Sequence, residues 1–239
     1  MNEYQGEDLI LAAGAPGSGW SGVINNICYG DEINRTDVGN ADVYCQPGYR
    51  GRHVGTYFGP YENYGKQFDR LDQYSNDELL AEFKKPFRNF EGIKIIKSHQ
   101  FCYSLDLLYE YFPKARFLCV FRETDELTFD WWHKCGGWEI SHPKYTWYEN
   151  DERMLKQIAI ENRAIHKFID EKRLKVFNCV FDLMEVYDFL NLTLTESSTG
   201  NAPFAGSERF NNLPAKERFY KLRYGTRLNN NPYLYAAIL

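Results

Sequence analysis

Hydrophobic and polar positions along the chain fall into two alternating rhythms. Leu9-Ile10-Leu11-Ala12-Ala13 is an unbroken apolar run of strand length. A glycine-rich loop, Gly14 to Ser21, follows it, and Val23 to Tyr29 suits a helix. Asn76 reads as a helix cap ahead of Asp77-Glu78-Leu79-Leu80. Ile93 to Ile96 form a second strand. Ser104 to Phe112 form a helix with Leu105, Leu108, Tyr109 and Phe112 on one face, and Pro113 ends it. Arg116 to Phe121 make a third strand, followed by a helix through Trp132. Met154, Leu155, Ile158, Ile165, Phe168 and Ile169 mark a long amphipathic helix. Leu174 to Phe181 make a fourth strand and Asp182 to Leu190 a helix, while the tail from Ser197 onward is polar.

Strands that alternate with helices predict an α/β fold, a three-layer sandwich with a mainly parallel central sheet. With no repeat and no clear linker, residues 1–239 are expected to form a single domain. The exception to the regular pattern is 30–90, most irregular up to about residue 75 and rich in Gly, Asn, Asp and Tyr. So long a loop in a compact domain is usually functional or mobile. It reads either as a lid or acceptor-binding insertion or as a plain surface excursion.

Charge narrows the partners. The net charge of -5 and pI of about 5.6 argue against a general nucleic-acid binder, which carries a basic excess. Aromatic residues reach 17%, enough to fill a core and also to line a pocket for an apolar ligand. The cysteines at 28, 45, 102, 119, 135 and 179 form no C-x-x-C pair, so zinc and thioredoxin-like chemistry have no support and all are expected to be reduced. The acidic start and the lack of a long apolar run predict a cytoplasmic protein with no membrane segment. His133 and His142 have no ligand-like companions, so no metal site is expected.

Three segments carry candidate chemistry, each at the carboxyl end of an expected strand, where ligands gather in such sheets. In Gly14-Ala15-Pro16-Gly17-Ser18-Gly19-Trp20-Ser21, glycines permit a tight turn and the following helix offers its positive end. That combination cradles a phosphate or sulfate, or is simply a tight strand-to-helix turn. The spacing is that of a phosphate-binding Walker loop, with Trp20 where the lysine belongs. In Ile96-Lys97-Ser98-His99, strand alternation would put Lys97 and His99 on one side, pairing a cation with a base. The alternative is a capping histidine beside a solvated lysine. In Phe117-Leu118-Cys119-Val120-Phe121-Arg122, the arginine ending the strand is placed either to fork onto a phosphate or to pair with a nearby acid.

Taken in order, these segments resemble the sulfotransferase superfamily, closest in motif to its cytosolic members. The family's P-K-S-G-T-T-W loop is matched by Pro16-Gly17-Ser18-Gly19-Trp20-Ser21-Gly22, its I-K-T-H segment by Ile96-Lys97-Ser98-His99, and its strand-ending arginine by Arg122. The run Val176 to Leu183 and then Tyr187-Asp188-Phe189-Leu190 is similar to the family's later strand and helix. The resemblance covers 9–27 and 93–190. It implies a P-loop-like nucleotide-binding topology and transfer of a sulfuryl group from 3′-phosphoadenosine 5′-phosphosulfate to an acceptor hydroxyl, without a metal. It implies His99 as general base, Lys97 on the transferred group, the 16–22 loop on the 5′-phosphosulfate, with the Ser18 and Ser21 hydroxyls helping, and Arg122 on the 3′-phosphate. Arg223, with Arg209 as a rival, would close over that phosphate. The acceptor would be a small molecule or glycan. The resemblance departs at Gly17, where the family carries lysine, at Asp130, where it carries serine, and at Gly22, where it carries an aromatic. Trp20 either stacks on adenine or packs under the loop, and Trp131, Trp132 and Trp138 either wall an acceptor pocket or fill the core. The competing readings are a P-loop-type phosphotransferase and an inactive nucleotide-binding protein of the same fold.

Overall fold

The computed structural model describes residues 4–27, 30–34, 68–84, 87, 89–134, 150–178, 183–193 and 234–239, with the backbone alone for a few, among them Ser21, His99 and His133. Its centre is a five-stranded sheet in the order β2-β1-β3-β5-β4. The strands are β1 (Leu9–Ala13), β2 (Lys94–Lys97), β3 (Arg116–Arg122), β4 (Lys175–Asn178) and β5 (Leu234–Ile238). β1 pairs in parallel with β2 and β3, and β5 runs antiparallel to both β3 and β4. Every strand but β5 therefore points the same way.

Alternation along the strands supplies two apolar faces. Leu9, Leu11 and Ala13 join Phe117, Cys119 and Phe121 on one face. That face is covered by α2 (Asn76–Lys84), α3 (Leu105–Tyr111) and α5 (Asp151–Lys172), through Leu79, Phe83, Leu108, Ile165 and Phe168. Ile10, Ala12, Leu118 and Val120 face the other way, against Val23, Ile24 and Ile27 of α1 (Trp20–Ile27) and Val186, Tyr187 and Leu190 at α6 (Leu183–Phe189). With helices on both faces, the apolar side chains of β1, β2 and β3 leave water, contributing about 1.5–3 kcal/mol per large residue, while Val176 of β4 stays exposed. α4 (Asp125–Lys134) follows β3 and packs beside α5.

Several expectations are corrected at their edges. Asn76 is not the cap of α2. Ser75 and Glu78 form a reciprocal capping box, the Glu78 carboxylate accepting the Ser75 N–H at 2.9 Å and Ser75 Oγ the Glu78 N–H at 3.3 Å. Asn76 Nδ2 donates instead to the Tyr111 carbonyl at 2.9 Å. α1 begins at Trp20, before the expected Val23. β2 is displaced by one residue, with Ile93 forming an isolated bridge to Ile33 and Lys97 closing the strand. The polar tail contains β5, which the sequence reading passed over. Most of the irregular 30–90 stretch, 35–67, lies outside the described residues.

Candidate functional site

The glycine loop is built as a closed turn. The Ser18 N–H donates to the Ala15 carbonyl at 2.9 Å, and Gly17 and Gly19 hold φ of +86° and +87°, a region comfortable for glycine alone. A Cβ on Gly17 would stand 2.1 Å from the Thr128 carbonyl oxygen of α4. Position 17, where the resembled family carries lysine, thus has no room for any side chain. Pro16 is buried at the turn, and so is Ser18, whose Oγ lies 3.3 Å from the Trp20 N–H that it caps. The α1 ladder opens with Val23 donating to the Gly19 carbonyl at 3.2 Å, so the amides of Trp20, Ser21 and Gly22 precede it. With the Trp20 N–H taken up by Ser18 Oγ, helix geometry makes the Ser21 and Gly22 amides the ones that an anion would meet.

Two buried cations flank this turn, one on each strand neighbouring β1. Lys97 ends β2 level with Ala12 and is fully buried, its Nζ 5.3 Å from the centre of the Trp20 ring. Trp20 also packs against the apolar cluster under α1, which supports the packing reading of that residue. Arg122 ends β3 and is 3% exposed. Its Nε–H donates to the Gly17 carbonyl at 2.7 Å, and its guanidinium carbon sits 4.5 Å from the centre of the Trp131 ring. The structure therefore brings Lys97, Arg122, Ser18 and Trp20 together around one turn.

The strand on which alternation would pair Lys97 with His99 ends at Lys97. The Ser98 N–H still reaches the Ala12 carbonyl at 3.1 Å, but the Ser98 carbonyl then accepts the Phe101 N–H and opens a 3₁₀ turn over His99–Ser104. His99 is the first residue of that turn, and its side chain lies outside the described residues. So do the side chains of Ser21 and His133, and all of Trp138, His142, Arg209 and Arg223. Asp130 is exposed on α4. Trp132 is partly buried and packs against Ala15, Met154 and Ile158, which supports the core role.

Sequence reasoning missed the groups that brace the turn. Thr128 is buried, with its hydroxyl on the Thr124 carbonyl at 2.9 Å and its own carbonyl against Gly17. Glu161 and Asn162 are also buried, on the inner side of α5. Glu161 Oε1 accepts from Tyr103 at 3.1 Å and Gln157 at 2.9 Å, while Asn162 donates to Asp125 at 2.6 Å. These bonds tie α5 to the turn after β2 and to the start of α4. A signal was present: position 161 falls on the helical stripe of Met154, Ile158, Ile165 and Phe168, where a charged residue is out of place. Behind the loop, burial and then the nearby Glu161 charge push the Cys102 thiol well up, and burial pushes Cys119 up to about 12, so neither is a nucleophile. Both are free thiols, and the other four cysteines lie outside the described residues.

Among the described residues, no group of His, Cys, Asp and Glu is placed to hold a metal ion, and no helix is long and apolar enough to cross a membrane. No family model, curated protein or solved structure matches the chain.

Proposed function

We propose that the chain is a cytoplasmic sulfotransferase, with a P-loop-like nucleotide-binding topology, that takes a sulfuryl group from 3′-phosphoadenosine 5′-phosphosulfate. The observation that carries this reading is the meeting of a glycine turn, Lys97 and Arg122 at the carboxyl ends of three adjacent parallel strands. Backbone amides and two cations at one edge suit a ligand with two anionic groups.

In this reading the loop amides and the Ser18 and Ser21 hydroxyls hold the 5′-phosphosulfate. Arg122, with Arg223 from the later chain, meets the 3′-phosphate. The acceptor hydroxyl oxygen forms the new bond to sulfur as the bond from sulfur to the bridging phosphate oxygen breaks, and His99 takes the hydroxyl proton. Lys97 offsets charge on the bridging oxygen from a site that excludes water, where such a charge acts most strongly. The products are a sulfate ester and 3′,5′-adenosine bisphosphate. The acceptor is a small molecule or a glycan.

The test is calorimetry with 3′,5′-adenosine bisphosphate, followed by transfer assays on His99→Ala. We expect binding by both proteins and a loss of transfer of about 10²–10⁴-fold in the variant, the usual contribution of a positioned base. Absence of binding by the intact protein, or stabilisation by ATP with Mg²⁺ alone, would overturn the assignment.

A further inference from the structure

Arg122 is engaged within the protein, and its partners belong to the machinery of the loop. Its Nε–H is spent on the Gly17 carbonyl at 2.7 Å, and its guanidinium plane meets Trp131 one helical stretch downstream. The same helix sets the Thr128 carbonyl against Gly17. α4 thus grips the turn twice, once through its backbone and once through an arginine held between a ring and a carbonyl.

We infer that Arg122 and Trp131 form a latch that sets the conformation of the glycine turn, so that Arg122 is a positioning residue for anion binding in the loop and not merely a contact to a second phosphate. The physical grounds are threefold. Arg122 is 3% exposed, so its guanidinium donors need partners within the protein, and the Nε–H finds one in a charge-assisted bond to the Gly17 carbonyl. A peptide plane fixed at its carbonyl is fixed at the N–H of the next residue, so holding the Gly17 oxygen orients the Ser18 amide that closes the turn on Ala15. An aromatic ring centred 4.5 Å from the guanidinium carbon restricts the orientations of that planar group, which lysine could not reproduce.

The inference has one arm that rests on the sulfotransferase reading and one that does not. The independent arm is amide hydrogen exchange on the intact chain, comparing the peptide spanning the glycine turn with one from α3. Arg122→Lys and Trp131→Leu are expected to speed exchange in the turn at least about tenfold, as loss of one charge-assisted bond implies, while Trp131→Phe, which keeps a ring face, stays near wild type. Exchange in α3 should not change. Unaltered exchange in the turn of either disruptive variant, or equal loss in Trp131→Phe and Trp131→Leu, would overturn the latch. Should Arg122→Lys fail to fold, the Trp131 pair decides.

The second arm uses calorimetry with 3′,5′-adenosine bisphosphate and with adenosine 5′-monophosphate, which lacks the 3′-phosphate. A latch predicts that Trp131→Leu and Arg122→Lys weaken both ligands, the monophosphate by about tenfold. Weakening of the bisphosphate alone would make Arg122 only a phosphate contact and sink the inference. If the wild-type chain binds neither nucleotide, the sulfotransferase reading falls, and the exchange experiment still judges the latch.

Discussion

β2 begins and ends in a fully buried lysine, and the two ends of the sheet treat that charge differently. At the amino edge, Lys94 is paired with Asp8, donates to the Phe90 carbonyl at 3.1 Å and lies 4.1 Å from the centre of the Phe90 ring. Tyr4 donates to the same Asp8 carboxylate. At the carboxyl edge, Lys97 lies over Trp20, and Arg122 is divided between Trp131 and a loop carbonyl. The amino edge balances charge against charge, which fits a role in holding β1 and β2 in register. The carboxyl edge lays its cations against rings and backbone dipoles beside a glycine turn. Rings and carbonyls orient a cation through quadrupole and dipole, and here they do so beside the backbone amides of the loop.

The largest test of this contrast is Gly17→Ala. Alanine at φ +86° with its Cβ 2.1 Å from a backbone oxygen forces the turn off α4. We expect a stability loss of about 3 kcal/mol in urea denaturation and loss of measurable nucleotide binding. Gly92→Ala is the control: φ is +66°, but the nearest atom, the Glu32 carbonyl oxygen, stands at 3.0 Å. It should cost about 1 kcal/mol and leave binding alone. A Gly17→Ala protein as stable and active as wild type would mean that α4 does not define the turn.

Asp8→Ala probes the opposite edge. It leaves the Lys94 ammonium buried without its carboxylate, and we expect a loss of about 2–3 kcal/mol, less than for a wholly buried pair because the Asp8 side chain is 37% exposed. Replacing both partners with Lys94→Met should recover part of that loss. Nucleotide affinity should be unchanged in both. An affinity that falls with Asp8→Ala would show that the two edges are not separate. Trp20→Leu, a smaller change at the carboxyl edge, should weaken binding about fivefold by removing the ring beside Lys97.

The amino edge and the glycine turn differ in how far the sequence disclosed them. The turn was legible because glycine spacing between an apolar run and a helix is a local signal, and Lys97 and Arg122 were legible as strand ends. The braces on the turn were not. Thr128 lies in a helix whose own pattern is unremarkable, and only the β1–β3 pairing brings it against Gly17, while Trp131 reads as pocket wall or core and not as a partner of Arg122. His99 was read by alternation along a strand, and that rule ended two residues too early when β2 gave way to a 3₁₀ turn. β5 was missed because Leu-Tyr-Ala-Ala-Ile is a short apolar run behind a long polar segment, and its insertion between β3 and β4 is a tertiary event. Lys94 read as an ordinary strand residue, since nothing local marks its pairing with Asp8 across the sheet.

The smallest effect belongs to Tyr4, and its pH dependence separates charge balance from packing. Burial, the hydrogen bond to Asp8 and then the charges of Asp8 and Glu7 hold the Tyr4 phenol well above its ordinary 10.0. A group whose folded pKa is raised contributes stability that is complete below the unfolded value and lost as pH climbs past it. Lys94 works in the opposite sense: burial lowers its pKa against the pull of Asp8, with Lys84 adding to the decrease, so its own contribution rises with pH below 10.5. Tyr4→Phe keeps the ring against Phe90 and Phe112 but removes the bond to Asp8. At neutral pH we expect a loss of about 1 kcal/mol. Above about pH 10 the wild type alone carries a phenol that only the unfolded chain can ionise easily, so the gap should close and then reverse. A gap constant across that range in urea denaturation would mean that Tyr4 contributes by packing alone, and that the Asp8 carboxylate serves Lys94 without it.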